Sequence, residues 1–222
     1  MTESFTAEDR ALAAWEIVAA STSALAAEWV VGTLAGRGRL LMLIPVTTAV
    51  VLMLLSHRAR GESAREVGWR LDNFWKAARL LLPPMLAVAA LLVGVGWYAG
   101  TLDFDRWEGG QSIMGVPGLS LVWGPLQQYA LQGFINRRAQ IALGRGFLSV
   151  LLVGLLFALF HLPNPWLTFA TFAGGLLWAY VYQRAPNILA VGLSHSLMTW
   201  VMISSVPPGS LHNLRVGFKY FG

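Results

Sequence analysis

Seven apolar segments recur along the chain, roughly over residues 11–32, 39–56, 79–99, 117–135, 147–162, 166–183 and 187–205. Each is near the ~17–25 residues that carry a helix across a bilayer. Hydrocarbon offers no partner for a backbone N–H or C=O, so a spanning segment must satisfy its own groups, as a helix does. Only 12% of the 222 residues are charged and 56% are hydrophobic, against about 25% charged in a typical soluble domain. These features predict an all-α integral membrane protein, a bundle of about seven transmembrane helices. The first segment is the weakest span, because it contains Glu16 and Glu28.

Between the second and third segments lies GESAREVGWRLDNFWKAARLLL, where Val67, Leu71, Phe74, Trp75, Ala78 and Leu82 recur at helical spacing. With Arg65, Glu66, Arg70, Lys76 and Arg79 on other faces, it reads as an interfacial amphipathic helix before the third span. Basic residues orient the bundle. His57, Arg58, Arg60, Arg65, Arg70 and Lys76 precede the third span, Arg137, Arg138 and Arg145 follow the fourth, and Arg184 follows the sixth. Basic loops mark the cytoplasmic side, which predicts a cytoplasmic N-terminus; a bacterial cytoplasmic membrane is the expected location. Arg37, Arg39, Arg215 and Lys219 fall on the opposite side. The chain divides into residues 1–110, with the N-terminal spans and the interfacial helix, and residues 111–222, a four-helix core. With no cysteine, thiolate chemistry and Cys-type metal sites are excluded. No nucleic-acid-binding motif is present.

All eleven acidic residues lie at or before Glu108. Any carboxylate chemistry in the last four spans must therefore borrow an acid from elsewhere. Those spans nevertheless carry a compact polar set. Gln127, Gln128 and Gln132 lie on the fourth, Phe157 and His161 end the fifth, and His195 sits mid-way along the seventh with Ser194, Ser196 and Thr199. Gln128 and Gln132, one turn apart, share a helix face, with Gln127 about 100° away. Singly, such amides serve as interhelical hydrogen-bond glue, whereas a mid-span histidine marks a functional site by default. Ala170 and Gly174 read as close-packing positions. Gly124-Pro125 predicts a kink.

The order QQYALQGFI, then FALFH, then His195 and Thr199 four apart, resembles the CPBP family of CAAX proteases and bacteriocin-processing enzymes. These are also called the Abi family, intramembrane glutamic endopeptidases. Its first motif reads EExxxR; here Gln127 and Gln128 stand where the glutamates belong and Gln132 where the arginine belongs. Phe157 and His161 match the second motif. His195 matches the histidine of the third, with Thr199 in place of the usual Asn. The resemblance covers roughly residues 115–205. It implies that the paired acids activate water, while the histidines and the asparagine position it and stabilise the oxyanion. Some members have been proposed to need a metal.

A carboxamide is too weak a base for that role, and general-base catalysis contributes ~10²–10⁴-fold. Two neutral imidazoles also fall short of the three protein ligands of usual catalytic zinc sites, so no metal or cofactor is expected. Replacing the arginine together with the glutamates avoids a buried cation without counter-charge, at roughly 3–5 kcal/mol. The expected function is therefore a catalytically lapsed family member that serves as a binding, scaffold or assembly subunit for a membrane-protein partner. One alternative is an active CAAX-type endopeptidase using Glu16 or Glu28 as base. These two lie about 18 Å apart along a helix and about 120° around it. The other alternative is a pocket for a prenyl, lipid or pigment ligand, lined from ten Trp and eleven Phe.

Overall fold

The computed structural model describes residues 5–31, 43–106 and 117–221. Every regular element among them is helical. Helix α1 spans Ala7–Leu25 and opens on a capping box: the Thr6 side chain accepts from the Asp9 N–H at 3.1 Å, and the Asp9 carboxylate accepts from the Thr6 N–H at 3.0 Å. A wider π turn over Ala26–Val31 follows. Then come α2 (Leu43–Ala59), the single turn α3 (Ala64–Val67) and α4 (Phe74–Tyr98). Helix α5 (Pro117–Gln128) runs through a π segment, Tyr129–Asn136, into α6 (Arg137–Leu143). Helices α7 (Phe147–Leu159), α8 (Pro165–Arg184) and α9 (Ile188–Ser205) follow, then two short 3-10 turns at His212–Leu214 and Gly217–Tyr220. Each of the seven apolar segments is thus helical over most of its described length. Arg37, Arg39 and the start of the second segment lie outside the described residues.

Among the described residues, two helices, α4 and α9, are long and apolar enough to cross a membrane. Helix α4 has a mean hydropathy of 2.1 and leaves Leu86, Leu91, Val95 and Trp97 each more than half exposed. In water such a continuous apolar face would be a liability; in lipid it costs nothing. At about 1.5 Å per residue, the 13 residues of α7 reach roughly 20 Å, short of the ~30 Å hydrocarbon core.

The expected amphipathic helix is not one helix. Its first turn, α3, ends at Gly68, which adopts φ 107°, a conformation open to glycine and strained for other residues. The Gly68 carbonyl accepts from the Ile188 N–H at 2.9 Å, and a Cβ there would meet Ile188 N and Tyr182 Cε2 at 3.2 Å. This close backbone approach ends the turn, and helix resumes only at Phe74. The apolar periodicity carried across the break hid it.

Two compact units interleave along the chain, one from residues 1–63, 134–179 and 215–222, the other from 64–133 and 180–214. In the first, α1 lies against α2 and α6, and α6 against α7. Helices α7 and α8 come close through Gly154 and Gly175: a Cβ on Gly175 would lie 3.0 Å from Gly154 Cα. Gly174, expected to be a close-packing position, instead makes room on its own helix for the Trp178 ring. In the second unit, α9 lies against both α4 and α5.

Candidate functional site

In the second unit, α5 and α9 meet with almost no side chain between them. A Cβ on Gly192 would lie 2.5 Å from Pro125 Cα, and one on Gly124 would lie 2.6 Å from the Gly192 carbonyl oxygen. Only glycine permits backbones this close, and the approach brings the next turn of α5 against α9. Gln128 Nε2 then lies 3.1 Å from His195 Nδ1. Gln128 is fully buried, and its Oε1 has no hydrogen-bond partner among the described residues. Gln132, one turn on, is also fully buried. Gln127 is half-buried, as its angular offset from Gln128 requires. Thr199 lies half-buried one turn beyond His195. The Ser194 and Ser196 hydroxyls donate to carbonyls of their own helix, Val191 at 2.8 Å and Gly192 at 3.2 Å. The structure therefore joins two of the expected positions directly, Gln128 and His195.

The other two motif residues, Phe157 and His161, belong to the first unit. His161 follows the last turn of α7, where its Nδ1 donates to the Phe157 carbonyl at 2.7 Å and its ring stands edge-on to the Phe157 ring. A carbonyl can only accept, so Nδ1 carries a proton. Glu28, in the π turn after α1, exerts its charge on this imidazole and pairs with Lys219 Nζ at 3.2 Å. The C-terminal turn brings Lys219 there. Gly217 N–H donates to the Leu162 carbonyl at 2.8 Å, Asn164 Nδ2 donates to the Arg215 carbonyl at 3.1 Å, and Phe218 packs edge-on against Trp29. Of the two acids expected as substitutes, Glu28 is thus the one placed near a motif histidine.

Glu16 is engaged elsewhere in the first unit. Its carboxylate takes Arg138 Nε at 2.9 Å, Arg60 Nη2 at 3.2 Å and the Ser56 hydroxyl at 2.7 Å. Arg138, fully buried in α6, also reaches Glu62 through Nη1 at 3.0 Å and Nη2 at 2.7 Å, and stacks over Phe134. Arg137 and His57 complete the set, at 2.6 Å each from Glu62. Burial opposes ionisation of Glu62, but hydrogen bonds from His57 and Arg138 and the charges of Arg138 and Arg137 outweigh it. They hold its carboxyl well below the usual range.

This ionic knot was missed by sequence reasoning, which took Arg137 and Arg138 for loop residues after the fourth span. Charge directly after an apolar run reads as loop when hydropathy alone sets a segment's end. The helix in fact continues from Asn136 into Arg137 without a break. The acid inventory held the useful signal: a buried arginine in the second half must draw its carboxylates from the first. Among the described residues, no three His, Asp or Glu side chains gather as metal ligands would.

A family model described as Rce1-like, type II CAAX prenyl endopeptidase, matches residues 109–201. No curated protein and no solved structure matches the chain.

Proposed function

We propose that this chain, through residues 109–201 a member of the Rce1-like, type II CAAX prenyl endopeptidase family, is a catalytically lapsed member that binds a membrane partner. The observation that carries this reading is the contact of Gln128, in place of a glutamate, with His195 at 3.1 Å. An amide there holds the imidazole but takes no proton from water. The polar cluster that remains is neutral, suited to recognising a segment of another membrane protein. All seven apolar helices cross the membrane in this reading, with an interfacial stretch before the third and the N-terminus in the cytoplasm of a bacterial cell. Residues 1–110 frame the bundle and 111–222 form its core. The test is cleavage of a prenylated CAAX peptide in liposomes containing the purified protein. The expected result is no cleavage above empty liposomes, and recovery from native membranes with a protein partner. Turnover, or recovery only as a partner-free monomer, overturns it.

A second reading retains peptidase activity with Glu28 as base. It is favoured by the placement of Glu28, whose charge acts on His161. On that reading Glu28→Gln abolishes cleavage, whereas Glu16→Gln acts through stability, because Glu16 is bound to Arg138 and Arg60.

A further inference from the structure

The stretch before α4 is fastened to α8 and the turn after it by polar bonds. The Tyr182 hydroxyl donates to the Val67 carbonyl at 2.6 Å, Asn187 Nδ2 to the Arg70 carbonyl at 2.6 Å, and Asn73 Nδ2 to the Pro186 carbonyl at 2.9 Å. Held this way, Leu71 and Trp75 stay 74% and 70% exposed. Lys76 and Arg79 come next, ahead of the exposed apolar run of α4 that begins at Leu82. Both are exposed, and neither side chain makes a hydrogen bond or ion pair among the described residues. By contrast, Arg65 and Arg70 both pair with Asp72. Lys76 and Arg79, three residues apart, share a helix face, and Arg79 lies one turn from Trp75. The helix itself does not account for these cations. They sit in its first two turns, at the positive end of its dipole, where cations weaken a helix, and no acid occupies the first turn. The far end of α4 has the opposite character. Asp103 and Asp105 are exposed there, and Arg106 is shared between Asp103 and the Ile203 and Val206 carbonyls.

We infer that the start of α4 is a docking surface for anionic phospholipid headgroups, with Lys76 and Arg79 on the phosphates and Leu71, Trp75 and Leu82 in the apolar boundary beside them. The occupant follows from charge complementarity and from position. Arg79 precedes Leu82 by only about 4.5 Å of helix rise, so the cations stand at the edge of the hydrocarbon. Long basic stems lie along apolar surface while their heads reach polar groups, and tryptophan settles at the same level. Basic side chains beside a span are drawn to anionic lipid, whereas a zwitterionic headgroup offers them no net charge. The inference goes beyond the reading of a lapsed binding subunit. It rests on one part of that reading, that α4 crosses the membrane with the preceding stretch at the interface.

The test reconstitutes the full chain in phosphatidylcholine vesicles holding a minor share of phosphatidylglycerol, with the same amount of brominated acyl chain placed on one lipid or the other. Bromine quenches a nearby indole, and the part due to Trp75 is the difference from Trp75→Phe. Brominated phosphatidylglycerol should quench Trp75 more than brominated phosphatidylcholine does, and the excess should shrink in high salt. Lys76→Gln and Arg79→Gln should each reduce the excess and together abolish it. Arg65→Gln, at a cation already paired, should leave it. Equal quenching by the two lipids overturns the inference, as does an excess that survives the double variant or falls as far in Arg65→Gln. Quenching by neither lipid places Trp75 away from the bilayer and overturns the membrane placement beneath the inference. Cleavage of a prenylated peptide enters none of these arms, so failure here is distinguishable from failure of the lapsed reading.

Discussion

Arg138 is a fully buried cation with two carboxylates and a hydroxyl on its guanidinium. The value of such a knot is asymmetric. Desolvation offsets most of the Coulomb attraction, whereas removing one partner leaves the rest buried and uncompensated. Arg138→Met should therefore cost about 3–5 kcal/mol of stability, measured by denaturant unfolding in micelles. Arg65, paired with Asp72 at an exposed site, should lose about 0–1 kcal/mol on substitution by Met. Equal losses at the two arginines would contradict the assignment. At this scale the sequence was legible where spacing alone decides. Gln128 and Gln132 are both buried, with Gln127 partly exposed, as helical geometry requires. It was not legible where partners come from distant segments: nothing local to Arg138 announces Ser56, 82 residues away.

Among the elements, the contact of α5 with α9 depends on Gly124 and Gly192, and their absent side chains set how near Gln128 comes to His195. Gly192→Ala should cost about 1–3 kcal/mol through overpacking and move His195 away from Gln128. Gly94, in the penultimate turn of α4, has nothing within 4 Å of where a Cβ would stand. Gly94→Ala should accordingly add about 0.5–1 kcal/mol by stiffening the unfolded chain and favouring helix. Thermal unfolding of the two variants side by side checks both signs. The positions of the helices were readable from hydropathy, since apolar runs and helices coincide along the chain. The interruption at Gly68 was not, because a positive φ is dictated by the approach of Ile188 and leaves no trace in apolar spacing.

For the molecule as a whole, the depressed Glu62 carboxyl gives stability a defined pH dependence. Its folded value lies below the ordinary 4.5 of a free glutamate. Its contribution is therefore fully present above pH 4.5 and is lost as pH falls below that, toward the folded value. Titration from pH 7 to 5 should leave this contribution unchanged. Below pH 4.5 stability should decline, and Glu62→Gln should flatten the decline while lowering stability at pH 7. A stability difference between Glu62→Gln and the unaltered chain that already shrinks between pH 7 and 5 would refute the assignment. The likeness to the family was legible in the sequence because three motifs keep their order through residues 115–205, and the region that the family model matches, 109–201, overlaps them. The two interleaved units, each assembled from separate stretches of chain, were not legible in it.

The ionic knot also imposes an order on biosynthesis. Synthesis proceeds from the N-terminus, at about 5–20 residues per second, so Glu16 and Glu62 exist before Arg138 leaves the ribosome. The arginine arrives last, to carboxylates already made, and its charge need never wait in lipid without a counter-ion. A gene split after residue 110 should accordingly yield a C-terminal fragment that is degraded when expressed alone and rescued when the N-terminal fragment is made beside it.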